Sequence, residues 1–371
     1  MILKEILEKV EQAKVKEIPF VMYKIPDADF IEVIIQKNRR LDHVIDFKES
    51  GFVMAPFDQH EKTVLFAKGN VYRYQSQIPS KSNLNLDKPL HKIEPVYPAA
   101  SKEKHIDLVE RGIESIKNGD FIKAVLSRSE FVEIKEPDII QIFLKLMAKY
   151  TEAFVYVWYH PKVGLWAGAS PETLLRTKGN RFKTMSLAGT QKYQAEVEAS
   201  WGEKEVQEQQ IVTDHLLDSL EGISVEVNST YTKKAGNLVH LCNDIQGVLD
   251  GKETLKHLID RLHPTAAVCG FPKKKVQQFI LKQEGYHRGF YTGFLGELNW
   301  EKEDYDINKD VSSKEIESNL FVNLRCMQLK SEPIPGAIVY VGGGITAKSN
   351  PVLEWEETVD KSLVMKSVLL G

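Results

Sequence analysis

The stretch VGGGITAKSNPVLEWEETVDK (residues 341–361) joins three consecutive glycines to four carboxylates in the predicted helix that follows. Glycines before a helix are typical of loops that bind phosphate through backbone amides. The carboxylates would repel a phosphate there, and the GK[ST] ending of a P-loop is missing. The stretch therefore predicts a ligand that needs both a close backbone approach and a cluster of negative side chains.

Two acidic helices are predicted to carry carboxylates toward a common site. In the C-terminal helix, Glu354, Glu357 and Lys361 follow at positions i, i+3 and i+7, which share one face. In GEKEVQEQQIVTD (residues 202–214), Glu208 lies at the inner edge of an apolar stripe. Taken alone, each helix also fits a solvated surface with salt bridges. Together they favour a hard cation such as Mg²⁺, which takes one or two carboxylates, waters and an anionic substrate.

Two further ionisable residues are candidates for proton transfer. Glu172, in ASPETLLR (169–176), follows a Ser-Pro turn, where shielding from water would let a carboxyl act as a general acid. Lys123 opens the predicted strand KAVLSRSE (123–130), and burial there would favour the neutral amine that acts as a base. A helix-terminal glutamate and a strand lysine that points to water are the structural alternatives. His263 ends a predicted helix at a Pro-Thr turn and is a further candidate.

The composition excludes several classes of protein. The 371 residues are 42% hydrophobic and 27% charged, with a formal net charge of −3, so no strong field draws the chain to nucleic acid or an anionic membrane. Three scattered cysteines without CxxC spacing indicate reduced thiols. The charged N-terminal helix lacks the apolar core of a signal peptide, and no run approaches the ~18 apolar residues of a membrane span. We expect a cytoplasmic protein that binds neither nucleic acid nor membrane.

Short strand-like segments that follow one another directly dominate the chain after the first hundred residues. Examples are AFVYVWYH, GFLGELNW, LFVNLRCMQL and AIVYVGGG, and helices are predicted at 105–118, 139–150, 203–221, 252–262, 273–284 and 351–369. Because hairpin-like pairs outnumber strand–helix–strand units, the sequence predicts an α/β fold of the α+β type, with mainly antiparallel sheets and helices packed outside. A stretch rich in Ser, Pro, Asn and Lys (72–102) predicts a surface connector.

Eight motifs follow one another between about residues 105 and 365. They are KAVLSR (123–128), GASPETLLR (168–176), SLAGTQ (186–191), KEVQEQQIVTD (204–214), LHPTAAVCGFPK (262–273), GFYTGFLGELN (289–299), LFVNLRC (320–326) and YVGGGITAKSNPVLEWEETVDKS (340–362). In this order they resemble the chorismate-utilising enzymes, and among them the isochorismate synthases most closely. The first hundred residues carry little recognisable resemblance.

The resemblance implies a fold and a reaction. The fold would be a single domain with two mainly antiparallel sheets as its core and the site in a cleft between them. Residues 1–98 would be a variable N-terminal part of this fold, and residues 99–371 the chorismate-binding catalytic region. The substrate would be chorismate, a diene ring with two carboxylates and a hydroxyl. Water would add at C2 while the C4 hydroxyl leaves, and the reaction would depend on Mg²⁺.

The resemblance also implies roles for individual residues. Lys123 matches the general base that activates water, at a position where amidating relatives usually have glutamine, and Glu172 matches the general acid. Glu208 and Glu357 match the Mg²⁺ ligands, and Glu354 would act through a water. The expected substrate-binding residues are Arg325, Gly342, Ala267, Val268, Lys361, Gly189, Thr190 and His263. One departure is Gln209, where relatives commonly have histidine after the metal-binding glutamate.

Several functions stay open at this point. A salicylate synthase shares the lysine and adds loss of pyruvate. An amidating anthranilate or aminodeoxychorismate synthase subunit would need ammonia or a glutaminase partner, which Lys123 disfavours. A non-catalytic relative that binds chorismate or a metal is the alternative from another class. The resemblance favours a monomer without an obligate glutaminase, and no residue indicates whether the product would feed menaquinone, siderophore or salicylate synthesis.

Overall fold

Strands make up most of the fold, which the computed structural model describes for residues 1–78, 99–135, 137–193, 199–235, 238–251, 253–306 and 311–370. In chain order the strands are β1 (Phe20–Lys24), β2 (Phe30–Gln36), β3 (Asp42–His43), β4 (Gly51–Ala55), β5 (Val64–Ala67), β6 (Val71–Gln77), β7 (Lys123–Glu133), β8 (Phe154–His160), β9 (Gly164–Ser170), β10 (Thr173–Lys178), β11 (Arg181–Lys192), β12 (Val225–Val227), β13 (Tyr231–Ala235), β14 (Leu238–Val248), β15 (Gly270–Phe271), β16 (Phe294–Asp306), β17 (Val311–Val322), β18 (Cys326–Lys330) and β19 (Gly336–Ile345). The helices are α1 (Leu3–Val15), α2 (Ala99–Lys117), α3 (Ile139–Lys149), α4 (Glu203–Ser219), α5 (Leu255–Leu262), α6 (Lys273–Gln283) and α7 (Pro351–Leu369).

The strands form two antiparallel sheets. The first has the order β15-β7-β19-β18-β9-β8-β1-β2-β6, and the second has the order β12-β14-β11-β10-β17-β16-β4-β5-β3, with β13 paired to β14. Every strand pair in both sheets is antiparallel. The predicted fold class and the expectation of two antiparallel sheets are therefore confirmed.

Strand β8 shows how the sequence places the two sheets face to face. Successive side chains of a strand point to opposite faces. Phe154, Tyr156 and Trp158 join an aromatic cluster between the sheets, while Val155 and Val157 pack against helices α1, α3 and α7 on the outer face. The Phe154 ring stacks on Phe321 of the second sheet, with ring centroids 4.3 Å apart. Both faces of the first sheet are thus covered, as an antiparallel sheet with apolar residues on both faces requires.

The first hundred residues supply strands to both sheets. Strands β1, β2 and β6 complete one edge of the first sheet, and β3 to β5 complete one edge of the second. The surface connector predicted at residues 72–102 is wrong at both ends, because residues 72–77 belong to β6 and residues 99–102 to α2. Residues 79–98 of this prediction lie outside the described residues. Helices α3, α4, α6 and α7 end within two residues of their predicted limits, whereas α2 begins earlier, at Ala99, and α5 begins later, at Leu255.

Helix α7 is fixed against the strand that it follows. The side chain of Asn350 accepts hydrogen bonds from the amides of Val352 and Leu353, and Pro351 occupies the first turn, so the sequence SNP sets the start of the helix. Within the helix, Thr358 Oγ1 accepts a hydrogen bond of 2.8 Å from Arg128 Nε of β7. This contact ties the helix that carries Glu357 to the strand that begins at Lys123. Among the described helices, none is both long and apolar enough to cross a membrane.

Candidate active site

A cavity of about 1170 Å³, including its mouth, lies between the ends of the two sheets and is bordered by α4 and α7. Eleven of the thirteen predicted site residues line it: Lys123, Glu172, Gly189, Thr190, Glu208, Ala267, Val268, Arg325, Gly342, Glu357 and Lys361. Glu354 and His263 do not line it. Residues from positions 123 to 365 of the chain therefore converge on one site.

Lys123 lies on the floor of the cavity and contacts Glu208. The lysine is 1% exposed, and its Nζ atom is 3.0 Å from Glu208 Oε1. Strand β15 covers the start of β7, where Gly270 has φ +129° and a Cβ would lie 2.2 Å from the carbonyl oxygen of Lys123. Only glycine permits this close approach of β15 to the backbone of β7. The side chain of Lys123 is itself buried. The lysine thus does not point to solvent.

Glu172 is the second enclosed ionisable group of the cavity. It is 2% exposed, and burial raises its pKa to about 8. A hydrogen bond of 3.4 Å from Thr265 Oγ1 and the charges of Lys233 and Lys123 oppose this rise without cancelling it. A carboxyl that keeps its proton near neutral pH can donate it, as a general acid must.

Helix α7 presents an ion pair, formed by Glu357 and Lys361, to the cavity. Lys361 Nζ lies 2.6 Å from Glu357 Oε1 and donates to the carbonyl oxygen of Gly342 at 3.1 Å. Burial alone would lower the pKa of Lys361, but the carboxylates of Glu357, Glu208 and Glu354 raise it above its usual value. The lysine is therefore a permanent cation at neutral pH. It stands beside the glycine stretch of residues 342–344.

The carboxylates of α4 and α7 form a donor set that suits a hard cation. Glu208 and Glu357 line the cavity with side chains that are 25% and 38% exposed, so a bound ion would reach both. Glu354 is buried behind them, and a Cβ on Gly343 would lie 3.5 Å from Glu354 Oε2 and 3.8 Å from Glu357 Oε1. Within the described part of the chain, no three His, Cys, Asp or Glu side chains form a ready-made metal cage. Two carboxylates still fit Mg²⁺, which keeps waters and shares substrate oxygens.

Arg325 and His240 form a hydrogen-bonded pair at the cavity wall. Arg325 Nη2 is 2.8 Å from His240 Nε2, and burial lowers the pKa of this arginine to about 10, so it stays charged. Arg325 was predicted from the motif LFVNLRC, whereas His240 was not predicted. A single histidine in the strand segment LVHLC has no local feature that separates it from a core residue.

A buried network behind the cavity was also missed. All five N–H donors of Arg288 are used: they reach both oxygens of Glu284, the hydroxyl of Thr292, and the carbonyls of Val125 and Val268. The carbonyls belong to the strand of Lys123 and to the turn after α5. Arg288 thus fixes two walls of the cavity relative to each other, although it does not line the cavity itself.

Gln209 and His263 have structural contacts. Gln209 Nε2 donates to Ser186 Oγ and Asn243 Oδ1, both at 2.9 Å, and so fastens α4 to the second sheet beside Glu208. His263 Nε2 lies 2.9 Å from the carbonyl oxygen of Pro56, and its ring packs edge-on against Phe294. Burial lowers the pKa of His263 to about 3. The structure therefore corrects the expected substrate contact of His263, because its ring is turned into the core.

Comparisons with known proteins give a family match over most of the chain. Residues 48–367 match the family model described as chorismate binding enzyme. Isochorismate synthase MenF of Pasteurella multocida is 28% identical over 272 residues, which cover 70% of this chain and 60% of that protein. Anthranilate synthase component 1 of Aquifex aeolicus is also 28% identical, over 72% of this chain and 53% of its own length. The chain thus spans 60% or less of these two curated relatives.

A solved structure shares the fold along nearly the whole chain. DhbC from Bacillus anthracis, described as a 2,3-dihydroxybenzoate-specific isochorismate synthase, has a TM-score of 0.75 at 22% identity. The alignment covers 98% of this chain and 100% of that chain. At this identity the likeness establishes the fold, and the choice among reactions depends on the residues of the cavity.

Proposed function

The chain belongs to the family of chorismate binding enzymes, and on that premise we propose that it is an isochorismate synthase that depends on Mg²⁺. In the proposed reaction, a water oxygen bonds to C2 of chorismate, the ring double bonds shift, and the C4 hydroxyl leaves as water. One proton is taken from the attacking water and one is given to the leaving hydroxyl, so the product is an isomer of the substrate. The pair formed by Lys123 and Glu172 in one cavity is the observation that carries the proposal.

Lys123 is proposed to take the proton from the attacking water. Its neighbour Glu208 accepts a hydrogen bond from Nζ at 3.0 Å and holds the amine at the end of β7. A glutamine at this position would leave no proton acceptor of comparable strength. The lysine therefore favours water over ammonia as the nucleophile, even though an anthranilate synthase component is as similar in sequence as an isochorismate synthase.

Glu172 is proposed to give its proton to the leaving hydroxyl. Its burial keeps the acid form available near neutral pH, as the raised pKa of about 8 indicates. Arg325 offers a charged fork for one substrate carboxylate, and the Gly342 backbone together with Lys361 borders the same space. Glu208 and Glu357 would hold Mg²⁺, which when bound neutralises the other substrate carboxylate. Glu354 would support the ion through a water.

We further propose that the chain acts in the cytoplasm as a monomer, without a glutaminase subunit. Cys242, Cys269 and Cys326 are all buried free thiols, which suits a reducing compartment. Size-exclusion chromatography with light scattering of the purified chain tests the oligomeric state. A stable dimer would contradict the proposed monomer.

One incubation separates the competing reactions. The purified chain is mixed with chorismate and Mg²⁺, and the products are resolved by chromatography. We expect isochorismate, with no product when EDTA is present or when Lys123→Gln replaces the wild type. A salicylate peak with released pyruvate would identify a salicylate synthase. Amination that persists in Lys123→Gln with ammonia would identify an amidating enzyme, and binding of chorismate without turnover would identify a non-catalytic protein.

A further inference from the structure

A second, smaller cavity lies on the far side of Glu172. Glu172 and Ala267 line both this cavity and the substrate cavity. The free space for the centre of a water molecule is about 10 Å³, which is room for about one water. Its other walls come from α4, α5 and the turn after α5, and include Val212, His215, Arg261 and Thr265. The buried carboxyl therefore borders a second space away from the substrate, whose mostly apolar lining also includes the polar side chains of His215, Arg261 and Thr265.

His215 connects this small cavity to the surface of the protein. Its Nδ1 atom is buried and has no hydrogen-bond partner among the described residues, while the residue as a whole is partly exposed. The ring packs on Phe271 with centroids 4.0 Å apart, which holds its orientation. Burial lowers its pKa, Asp218 opposes this effect and Lys273 adds to it, so the ring stays neutral near pH 7. A neutral imidazole can accept a proton on one nitrogen and release one from the other.

The proposed reaction leaves a proton imbalance inside the enzyme. After each turnover Lys123 carries one proton too many and Glu172 one too few. The next turnover requires a neutral amine and a protonated carboxyl, so one proton must leave the lysine and one must reach the glutamate. Glu172 is 2% exposed, and its charged form is unfavourable in this environment because of its burial.

We propose that His215 and one water in the small cavity return a proton from solvent to Glu172 after each turnover. This inference rests on the proposed function. The carboxylate takes a proton from the cavity water, the water takes one from the imidazole, and the imidazole recovers its proton from solvent. Lys123 releases one proton to the substrate cavity, so the cycle conserves protons. His215 touches no substrate and acts only through Glu172, beside the fixed charges of Arg261 and Lys273.

Steady-state kinetics of His215→Phe test the relay, because phenylalanine keeps the packing on Phe271 but carries no proton. Proton return follows product release, so we expect kcat to fall about tenfold while kcat/KM for chorismate stays unchanged. His215→Ala leaves room for added imidazole, which should restore kcat in that variant, and the solvent deuterium effect on kcat should increase in His215→Phe. His257→Gln, on the exposed face of α5, should behave as wild type.

A second variant closes the cavity without touching the histidine. Val212 is 3% exposed and lines the cavity, so Val212→Ile adds a methyl group where the water would lie. We expect the same selective loss of kcat, without rescue by imidazole, and a crystal structure of the wild type should contain a water between Glu172 and His215. Unchanged kcat in both variants, or an equal fall in kcat and kcat/KM that imidazole does not reverse, overturns the relay. A wild type that does not convert chorismate removes the proposed function, and the relay with it.

Discussion

Arg325 Nη2 and His240 Nε2 meet at 2.8 Å, while the other imidazole nitrogen, Nδ1, lies 3.0 Å from the carbonyl oxygen of Gly189. A carbonyl can only accept, so Nδ1 carries the proton and Nε2 accepts from the arginine. Burial, and then the charge of Arg325, hold the pKa of His240 well below its usual value and keep the ring neutral. The orientation of the arginine is therefore linked to the backbone of β11.

Replacing His240 should weaken substrate binding through Arg325. A hydrogen bond to a charged group is worth about 1.5–3 kcal/mol, so we expect His240→Phe to raise KM for chorismate about tenfold or more. His240→Gln can place an amide oxygen near the position of Nε2 and should retain most of the affinity. Initial rates over a range of chorismate concentrations give KM for both variants and for wild type. Equal KM values for the phenylalanine variant and wild type would show that the arginine needs no such partner.

The pKa of Glu172 predicts the high-pH side of the activity profile. If its acid form is required, kcat/KM should fall as pH rises through about 8. Thr265 donates a hydrogen bond that favours the charged carboxylate of Glu172. Thr265→Val should therefore raise the pKa of Glu172 and move the fall in kcat/KM to higher pH. A pH–rate profile of both proteins measures the shift. A fall in kcat/KM that moves to lower pH in Thr265→Val, or does not move, would contradict the role of Glu172 as the general acid.

The same carboxyl should affect stability in a defined pH window. Its pKa in the folded protein, about 8, lies above the ordinary value of 4.5, so the folded state binds more protons than the unfolded state between these values. The contribution of Glu172 is therefore complete below about pH 4.5 and is lost as pH rises through about 8. Glu172→Gln keeps the shape of the side chain but does not titrate. The melting temperature of this variant, relative to that of wild type, should therefore rise from pH 5 to pH 9. Parallel melting curves at all pH values would argue against a buried carboxyl with this pKa.

Site residues that belong to ordered motifs could be predicted from the sequence, whereas those brought to the site only by the fold could not. Lys123, Glu208 and Glu357 stand in recognisable local patterns, and all three line the cavity. His240 is placed by the pairing of β11 with β14, a contact between residues about fifty positions apart. No local periodicity reports such a contact.

The opposite error occurred at His263. Its position after a helix and before a Pro-Thr turn is typical of a loop residue near a site, yet its ring packs in the core against Phe294. The direction of one side chain at a turn depends on the backbone angles there and on the neighbouring sheet. Both are set by tertiary packing, which the sequence pattern does not contain.

The proposed metal site predicts a sharp difference between two neighbouring glutamates. Glu357 lines the cavity, whereas Glu356 is exposed on another face of α7. We expect Glu357→Gln to lose most activity and to weaken Mg²⁺ binding about tenfold or more, because one of two carboxylate ligands is lost. Glu356→Gln should match wild type in both respects. Calorimetric titration with Mg²⁺ gives the affinity independently of turnover, and unchanged affinity in Glu357→Gln would remove this ligand assignment.

The consecutive glycines Gly343 and Gly344 should differ in their tolerance of a methyl group. A Cβ on Gly344 would lie 2.8 Å from Glu208 Oε1 and 3.1 Å from Lys123 Cε, so alanine there must displace the ends of these two side chains. On Gly343, the nearest atoms would be Glu354 Oε2 at 3.5 Å and Glu357 Oε1 at 3.8 Å, which is ordinary contact. Neither glycine has a positive φ, so backbone strain does not complicate the comparison.

We therefore expect Gly344→Ala to fold normally and to lose about a hundredfold in kcat, since a general base displaced by a fraction of an ångström works poorly. Gly343→Ala should keep most of its activity. Thermal unfolding confirms that both variants fold, and initial rates with chorismate compare them. Equal rates in the two variants would mean that the contact between Lys123 and Glu208 does not position the base. A loss of kcat in Gly344→Ala but not in Gly343→Ala would show that the glycine stretch must lack a side chain at the position that faces Lys123.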